Sequence, residues 1–272
     1  MQFNRKLFFV EARKHFIGLN QGQVDGCNAI MDALEADQVT DLRQIAYVFC
    51  TAEAEVGANL LPVREGFAKT DAEARKIAAK LISEHGLKNY AAVDPRTGFS
   101  YYGRGYPQLT WYDNYAKCGT ELKIDLVGNP DLMLIPQIAA RVMVRGMIKG
   151  LFTKGETLSK YFNSQVTDWP GARRIINGAD RADFIATLGR LWFAIVRAEG
   201  VVSLGAWVAP AGPVPPVITG PVPPVPGTIV IMPPASGKPK AKTSETVGLA
   251  TLVALLLGII GFAINWIFRG GV

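Results

Sequence analysis

Residues 101–115 read YYGRGYPQLTWYDNY, and the reading of the whole chain turns on this stretch. Gly103 and Gly105 let the backbone approach a neighbour closely. Aromatic faces such as those of Tyr102 and Trp111 can stack on sugar rings, while Gln108, Thr110 and Asn114 offer side-chain hydrogen bonds. Residue chemistry alone leaves two readings open. One is a glycan-contacting loop; the other is a β-hairpin across 98–111 with a surface aromatic cluster.

Helical patterns surround it. Residues 4–18 set Leu7, Phe8, Val10, Ala12 and Phe16 among charges, and residues 22–36 place Val24, Ile30, Met31 and Leu34 on roughly one stripe. Asp41 is the expected N-cap of a helix running to about Gly57, with Leu42, Ile45, Ala46 and Phe49 at spacings of three and four. Asp71 is expected to cap another helix across 72–85, and amphipathic helices are expected over 134–150 and 181–199. Strand signal is confined to 98–111. The expected fold class is therefore mainly α.

Net charge is +6, which suits anionic partners such as cell wall or acidic lipid. No run of five or six Lys/Arg and no basic helix interleaved with aromatics is present, so nucleic acid is not expected as a partner. Cys27, Cys50 and Cys118 are odd in number and lack CxxC spacing. They imply neither a disulfide framework nor a zinc site, and Cys27 and Cys50 are expected in the core. His15 and His85 have no partner at metal-ligand spacing. Lys6, Glu11, Arg13 and Lys14 break up any apolar run near Met1, so no signal peptide is expected there.

The character changes after residue 203. Residues 204–243 form a proline-rich, basic linker that includes Lys238, Lys240 and Lys242. Proline this dense favours extended polyproline II. Residues 244–272 hold the uncharged run Val247–Phe268, whose only strongly polar residue is Asn265. At about 1.5 Å per residue a helix there would span roughly 33 Å, close to a bilayer core of about 30 Å. A single-pass C-terminal anchor in a lipid bilayer is expected, in a host inner membrane or a virion membrane. The lysines before it, against Arg269 alone after it, would put residues 1–203 on the cytoplasmic side.

The segment 101–115 resembles the signature of family 19 glycoside hydrolases, the chitinase and phage-endolysin family, which reads roughly YYGRGxxQLTWxxNY. Residues 8–34 (FFVEARKHFIGLNQGQVDGCNAIMDAL) resemble the opening of endolysins in that family. Residues 44–67 (QIAYVFCTAEAEVGANLLPVREGF) resemble its pattern of helix, HET, then PVRE, and residues 173–184 (RRIINGADRADF) its INGG-type segment. The resemblance covers about residues 5–200 and implies a lysozyme-like α (α+β) catalytic domain over 1–203. It implies no cofactor and no metal.

Glycoside hydrolysis needs two carboxyl groups, one to protonate the leaving oxygen and one to activate water or attack carbon. Glu53, Glu55, Glu65, Glu73 and Glu84 are the candidates near the aromatic stretch. Glu53 and Glu55 lie about 200° apart on a helix, so they cannot both face one cleft. Periodicity does not choose between them. The resemblance selects Glu55 as general acid, with Ala54 and Val56 standing where the family has His and Thr. It makes Glu65 the general base, with Arg64 a candidate ion-pair partner beside it. Thr110 falls on the residue that helps Glu65 hold the attacking water. Tyr102, Gln108, Trp111, Asn114 and Asn177 become substrate-contacting or site-organising positions. The implied mechanism is inverting, with the carboxyl groups about 6.5–9.5 Å apart and the pKa of Glu55 raised by burial. The implied substrate is peptidoglycan, cut by a muramidase-like endolysin or virion-associated lysin. Chitin hydrolysis and a catalytically silent glycan-binding or virion protein are the alternatives.

Overall fold

The computed structural model describes residues 1–16 and 18–204. The expected linker, apart from Leu204, and the expected anchor lie outside the described residues. Among the described residues, no helix is long and apolar enough to cross a membrane.

The fold is built on α3 (Leu42–Val56), which is buried along nearly its whole length from Ile45 to Val56. Asp41 caps it, its side chain accepting from the Arg43 amide, and Gly57 ends it with a φ of 77°. The helix is buried on all sides because several elements pack around it. α8 (Ala182–Val196) makes the most extensive contact. Gly189 permits the close approach there: a Cβ at this position would lie 3.4 Å from Cys50 Sγ of α3 and 2.7 Å from the Trp169 ring. Trp192 of α8 stacks on Phe49 of α3 at 4.8 Å and 15°. Phe8 of α1 (Arg5–Ala12) packs against both rings.

α2 (Gln21–Ala36) packs against α6 (Pro136–Lys149). Its cap is Asn20, which forms a reciprocal capping box with Gln23. α4 (Asp71–His85) is capped by Thr70 rather than Asp71. Asp71 instead receives the Arg104 guanidinium at 3.1 Å, a partner 33 residues away that sequence spacing does not reveal. The helix read across 4–18 ends at Ala12.

Strands are short. β1 (Gln2–Phe3) pairs antiparallel with β4 (Val202–Ser203), which ties the start of the chain to the end of the described fold. β2 (Val63–Arg64) pairs antiparallel with β3 (Arg104–Gly105). Of the two readings left open for 98–111, the loop is nearer: beyond the tight Arg104–Leu109 bridge, the strand partner of 104–105 is 63–64. This pairing carries Glu65 to the signature segment.

The signature tyrosines are structural. Tyr106 joins the main core, Tyr101 and Tyr115 a second cluster with α5 (Tyr112–Leu122), and Tyr102 a third with Ala74, Ala78 and Tyr90. One segment therefore pins three apolar clusters together. The rings of Tyr101, Tyr102, Tyr106 and Tyr115 are buried, so the sugar-stacking role suggested by their type does not apply to them, while the fifth tyrosine of the segment, Tyr112, is half-buried against the second cluster.

Candidate active site

Glu53 and Glu55 leave α3 on different sides, as their spacing requires. Glu53 accepts a hydrogen bond from Trp192 Nε1 at 2.7 Å and lies 3.1 Å from His15 Nε2. It serves the α1–α3–α8 junction. Glu55 accepts from the Arg173 guanidinium at 2.7 Å, and each of these side chains is only 2% exposed. Arg173 sits on the 3-10 turn Gly171–Ile175 and also donates from Nε to the Asp180 carbonyl at 3.1 Å. Asn177 is buried just beyond: its amide donates to the Arg173 carbonyl, and its Oδ1 accepts from the Gly178 amide. Arg181 reaches the Ala54 carbonyl at 3.3 Å. Burial pushes the Glu55 carboxyl above its ordinary range, and the cations of Arg173 and then Arg181 oppose the shift. Ala54 and Val56 are buried in the main core, so the charged partner nearest Glu55 comes from 173 and not from its helical neighbours.

Glu65 directly follows β2, at the start of the 3-10 turn Glu65–Phe67, and is 4% exposed. Its backbone amide donates to the Gly103 carbonyl at 2.7 Å, and its Oε2 accepts from the Gly103 amide at 2.9 Å. Its Oε1 accepts from the Tyr90 hydroxyl. Burial raises this carboxyl too, opposed by the Tyr90 and Gly103 donors and by the Arg104 charge. Arg64 is not its ion-pair partner, as adjacency suggested; β-strand alternation turns Arg64 away, to Asp131.

Gly103 is the meeting point of the predicted residues. A Cβ there would lie 3.0 Å from Gln108 Oε1, 3.4 Å from Glu65 Oε2 and 3.5 Å from Thr110 Cγ2. Gln108 is fixed by donating to the Val63 and Gly105 carbonyls. Thr110 is buried, and its hydroxyl is left without a hydrogen-bond partner. It is the Thr110 methyl that faces Gly103, and the hydroxyl on the same side chain is available to a water or a substrate group. Asn114 donates to the Thr110 carbonyl at 2.9 Å and so organises the loop. Tyr102 is fully buried with the Arg104 guanidinium 3.6 Å over its ring, so it supports the segment and cannot reach substrate. Trp111 keeps partial exposure and packs on Tyr90 at 5.8 Å.

The backbone around Glu65 is strained. Phe67, Gln108 and Trp111 take φ values of 59°, 50° and 70°, unusual for residues with a side chain. Such strain persists only where surrounding contacts enforce it, and it clusters at functional sites.

The structure thus gathers Glu65, Gln108 and Thr110 around Gly103, and Glu55 and Asn177 around Arg173. Two residues escaped the sequence reading. Arg173 heads a segment singled out in sequence, but its pairing with a residue 118 positions away has no local signal. Tyr90 lies in an aperiodic stretch that gives no hint of its partner. Among the described residues, no group of three or more His, Cys, Asp or Glu side chains is placed to hold a metal ion.

Residues 36–145 match the family model described as chitinase class I, glycoside hydrolase family 19. This stretch of the chain is similar to the family 19 glycoside hydrolase domain. The match spans α3, Glu65 and the whole signature segment. An endochitinase of Carica papaya is 48% identical over 54 residues, 18% of this chain and 22% of that protein. Endochitinase 2 of Gossypium hirsutum is 45% identical over 49 residues, 16% of each chain. An inactive chitinase-like protein 1 of Hevea brasiliensis is 49% identical over 41 residues, 15% of this chain and 13% of that one. The chain therefore spans less than a quarter of the length of these curated relatives. Similarity to the family 19 domain is strong but local.

Proposed function

We propose that this protein hydrolyses the glycan strands of peptidoglycan, with Glu55 as general acid and Glu65 as general base. The observation that carries the reading is the unlike surroundings of two buried carboxyl groups. Glu55 faces a buried guanidinium, whereas Glu65 is held by a phenol and a backbone amide beside the unpartnered Thr110 hydroxyl. Burial raises both, which suits a carboxyl that must give up a proton and one that must take one near neutral pH. A protonated Glu55 hands its proton to the glycosidic oxygen. Glu65, with Thr110, orients a water and accepts its proton as it attacks the anomeric carbon. Direct attack by water inverts the configuration. Arg173 then stabilises the carboxylate that Glu55 has become.

The choice of peptidoglycan rests on the resemblance of residues 8–34 to endolysin openings and on the modest basic charge. A second reading, chitin hydrolysis, is favoured by the names of the endochitinase relatives. Chitin and the peptidoglycan backbone share β-linked N-acetylated sugars, so the domain's chemistry suits either. Catalytic silence is a third reading, because a protein named inactive matches as closely as the named endochitinases do. The run Val247–Phe268 supports single-pass attachment to a host inner membrane or a virion membrane, on hydropathy and length alone. A lysin held on the cytoplasmic side would act once the membrane is breached; one in a virion would act at entry.

Purified peptidoglycan and chitin are each incubated with the protein, and new reducing ends are followed. Release from peptidoglycan is expected. Release from chitin alone would transfer the assignment to the second reading, and release from neither, with retained binding, to the third.

A further inference from the structure

We propose that Tyr90 is a positioning residue for Glu65, holding that carboxylate ionised and aimed at the Thr110 side of the site. This rests on the reading of Glu65 as general base. Tyr90 is 3% exposed and lies beyond α4, in a stretch with no helix or strand. Its hydroxyl donates to Glu65 Oε1, while the Gly103 amide holds Oε2. The two oxygens are therefore fixed by two different donors, which sets the plane of the carboxyl group. The Tyr90 ring is itself clamped: Trp111 packs on it from the signature side, and Ala74 and Ala78 of α4 share its cluster.

The donor's character follows from its surroundings. Burial and the neighbouring Glu65 push the Tyr90 phenol well above its ordinary range, so it stays protonated and can only donate toward Glu65. A hydrogen bond to an ionised group favours the ionised form. The other charged or titratable groups facing this carboxyl are Arg104, whose cation also favours ionisation, and Tyr115. Neither is hydrogen-bonded to it; Arg104 is taken up by Asp131 and Asp71, and Tyr115 donates to the Tyr102 carbonyl. Tyr90 is thus the side-chain donor to Glu65 among the described residues. Without it, desolvation is opposed chiefly by one amide, and a base that must be ionised near neutral pH would hold its proton longer.

The test uses the full chain with Tyr90→Phe, which keeps the ring that Trp111 and α4 pack against and removes only the oxygen. Carboxyl carbons are labelled with 13C in glutamate, and Glu65 is assigned by comparison with Glu65→Gln. The expected result is an upward shift of the Glu65 titration by about one pH unit, in line with the loss of one hydrogen bond to a charged group. The acid limb of kcat should move upward by the same amount, with kcat lowered by up to about tenfold on that limb and KM within twofold of wild type. A Glu65 titration unchanged in Tyr90→Phe would overturn the proposal. The titration reads Tyr90 even where no glycan is cut, so a wild type inactive on both polymers would defeat the functional reading and leave this result to stand separately.

Discussion

At the scale of the residue, the site depends on how two carboxyl groups are kept in the interior. Breaking a buried ion pair by removing one partner typically costs about 3–5 kcal/mol, because the other charge is stranded. Arg173→Gln should therefore destabilise the domain, measured by urea unfolding, by up to roughly that amount at pH values where Glu55 is ionised and by less where it carries its proton, and should drive the Glu55 carboxyl still higher. A loss below about 1 kcal/mol would mean that Glu55 is already neutral in the resting protein. Glu65 gives a pH signature. Its folded value is raised above the ordinary 4.5, so the fold holds that proton more firmly than the unfolded chain does. The contribution favours folding below about 4.5 and is lost as pH climbs through the folded value. Relative to wild type, Glu65→Gln should gain stability as pH rises from about 4.5 to the folded value of Glu65 and then level off; a pH-independent gap would contradict the burial effect. What sequence could say here was partial. Two-residue spacing separated Glu53 from Glu55, but which one meets the site depends on Trp192 and Arg173, both more than a hundred residues downstream.

At the scale of the element, the longer helices were legible and their ends less so, whereas α5 went unread beside the signature segment. Apolar spacing marked α3 because Asp41 and Gly57 bracket it with local chemistry. The start of α4 was misplaced by one residue because Thr70 and Asp71 can both cap, and only the tertiary position of Arg104 claims Asp71. The β2–β3 pairing was invisible, since two-residue strands 40 positions apart carry no alternation to read. It is nonetheless the element that delivers Glu65 to Gly103. A close approach elsewhere holds the connection from α3 to β2. A Cβ on Gly26 of α2 would lie 1.9 Å from the Leu60 carbonyl oxygen, and Leu60 already has a φ of 52°. Gly26→Ala should cost about 1–3 kcal/mol or more by thermal or urea unfolding. It should also reduce turnover, since the displaced connection runs from Glu55 to Glu65. Unchanged stability would show that α2 and this loop can separate freely.

At the scale of the whole molecule, the sequence divides the chain into a folded part and a C-terminal apolar run, and the two rest on different arguments. The folded part closes where β4 meets β1, and the family 19 match lies inside it. The proposed attachment rests on twenty-two uncharged residues set against bilayer thickness. Deleting 205–272 should move the protein from the membrane to the soluble fraction without changing its urea midpoint. Continued sedimentation with membranes would defeat the anchor and point to the folded part. The resemblance that marked Glu55, Glu65 and Thr110 also marked Tyr102, whose burial shows it to be a support for the segment. Motif similarity ranks residues by family, not by exposure, and only three-dimensional packing separates those that touch substrate from those that hold the loop.

The central claim is glycan hydrolysis by the Glu55–Glu65 pair, and reducing-end release from purified peptidoglycan tests it most directly. Wild type should generate reducing ends. Glu55→Gln should lower the rate by roughly 10²–10⁴-fold, the usual share of a general acid, while still binding the polymer. Reducing-end release by Glu55→Gln at the wild-type rate would contradict the account.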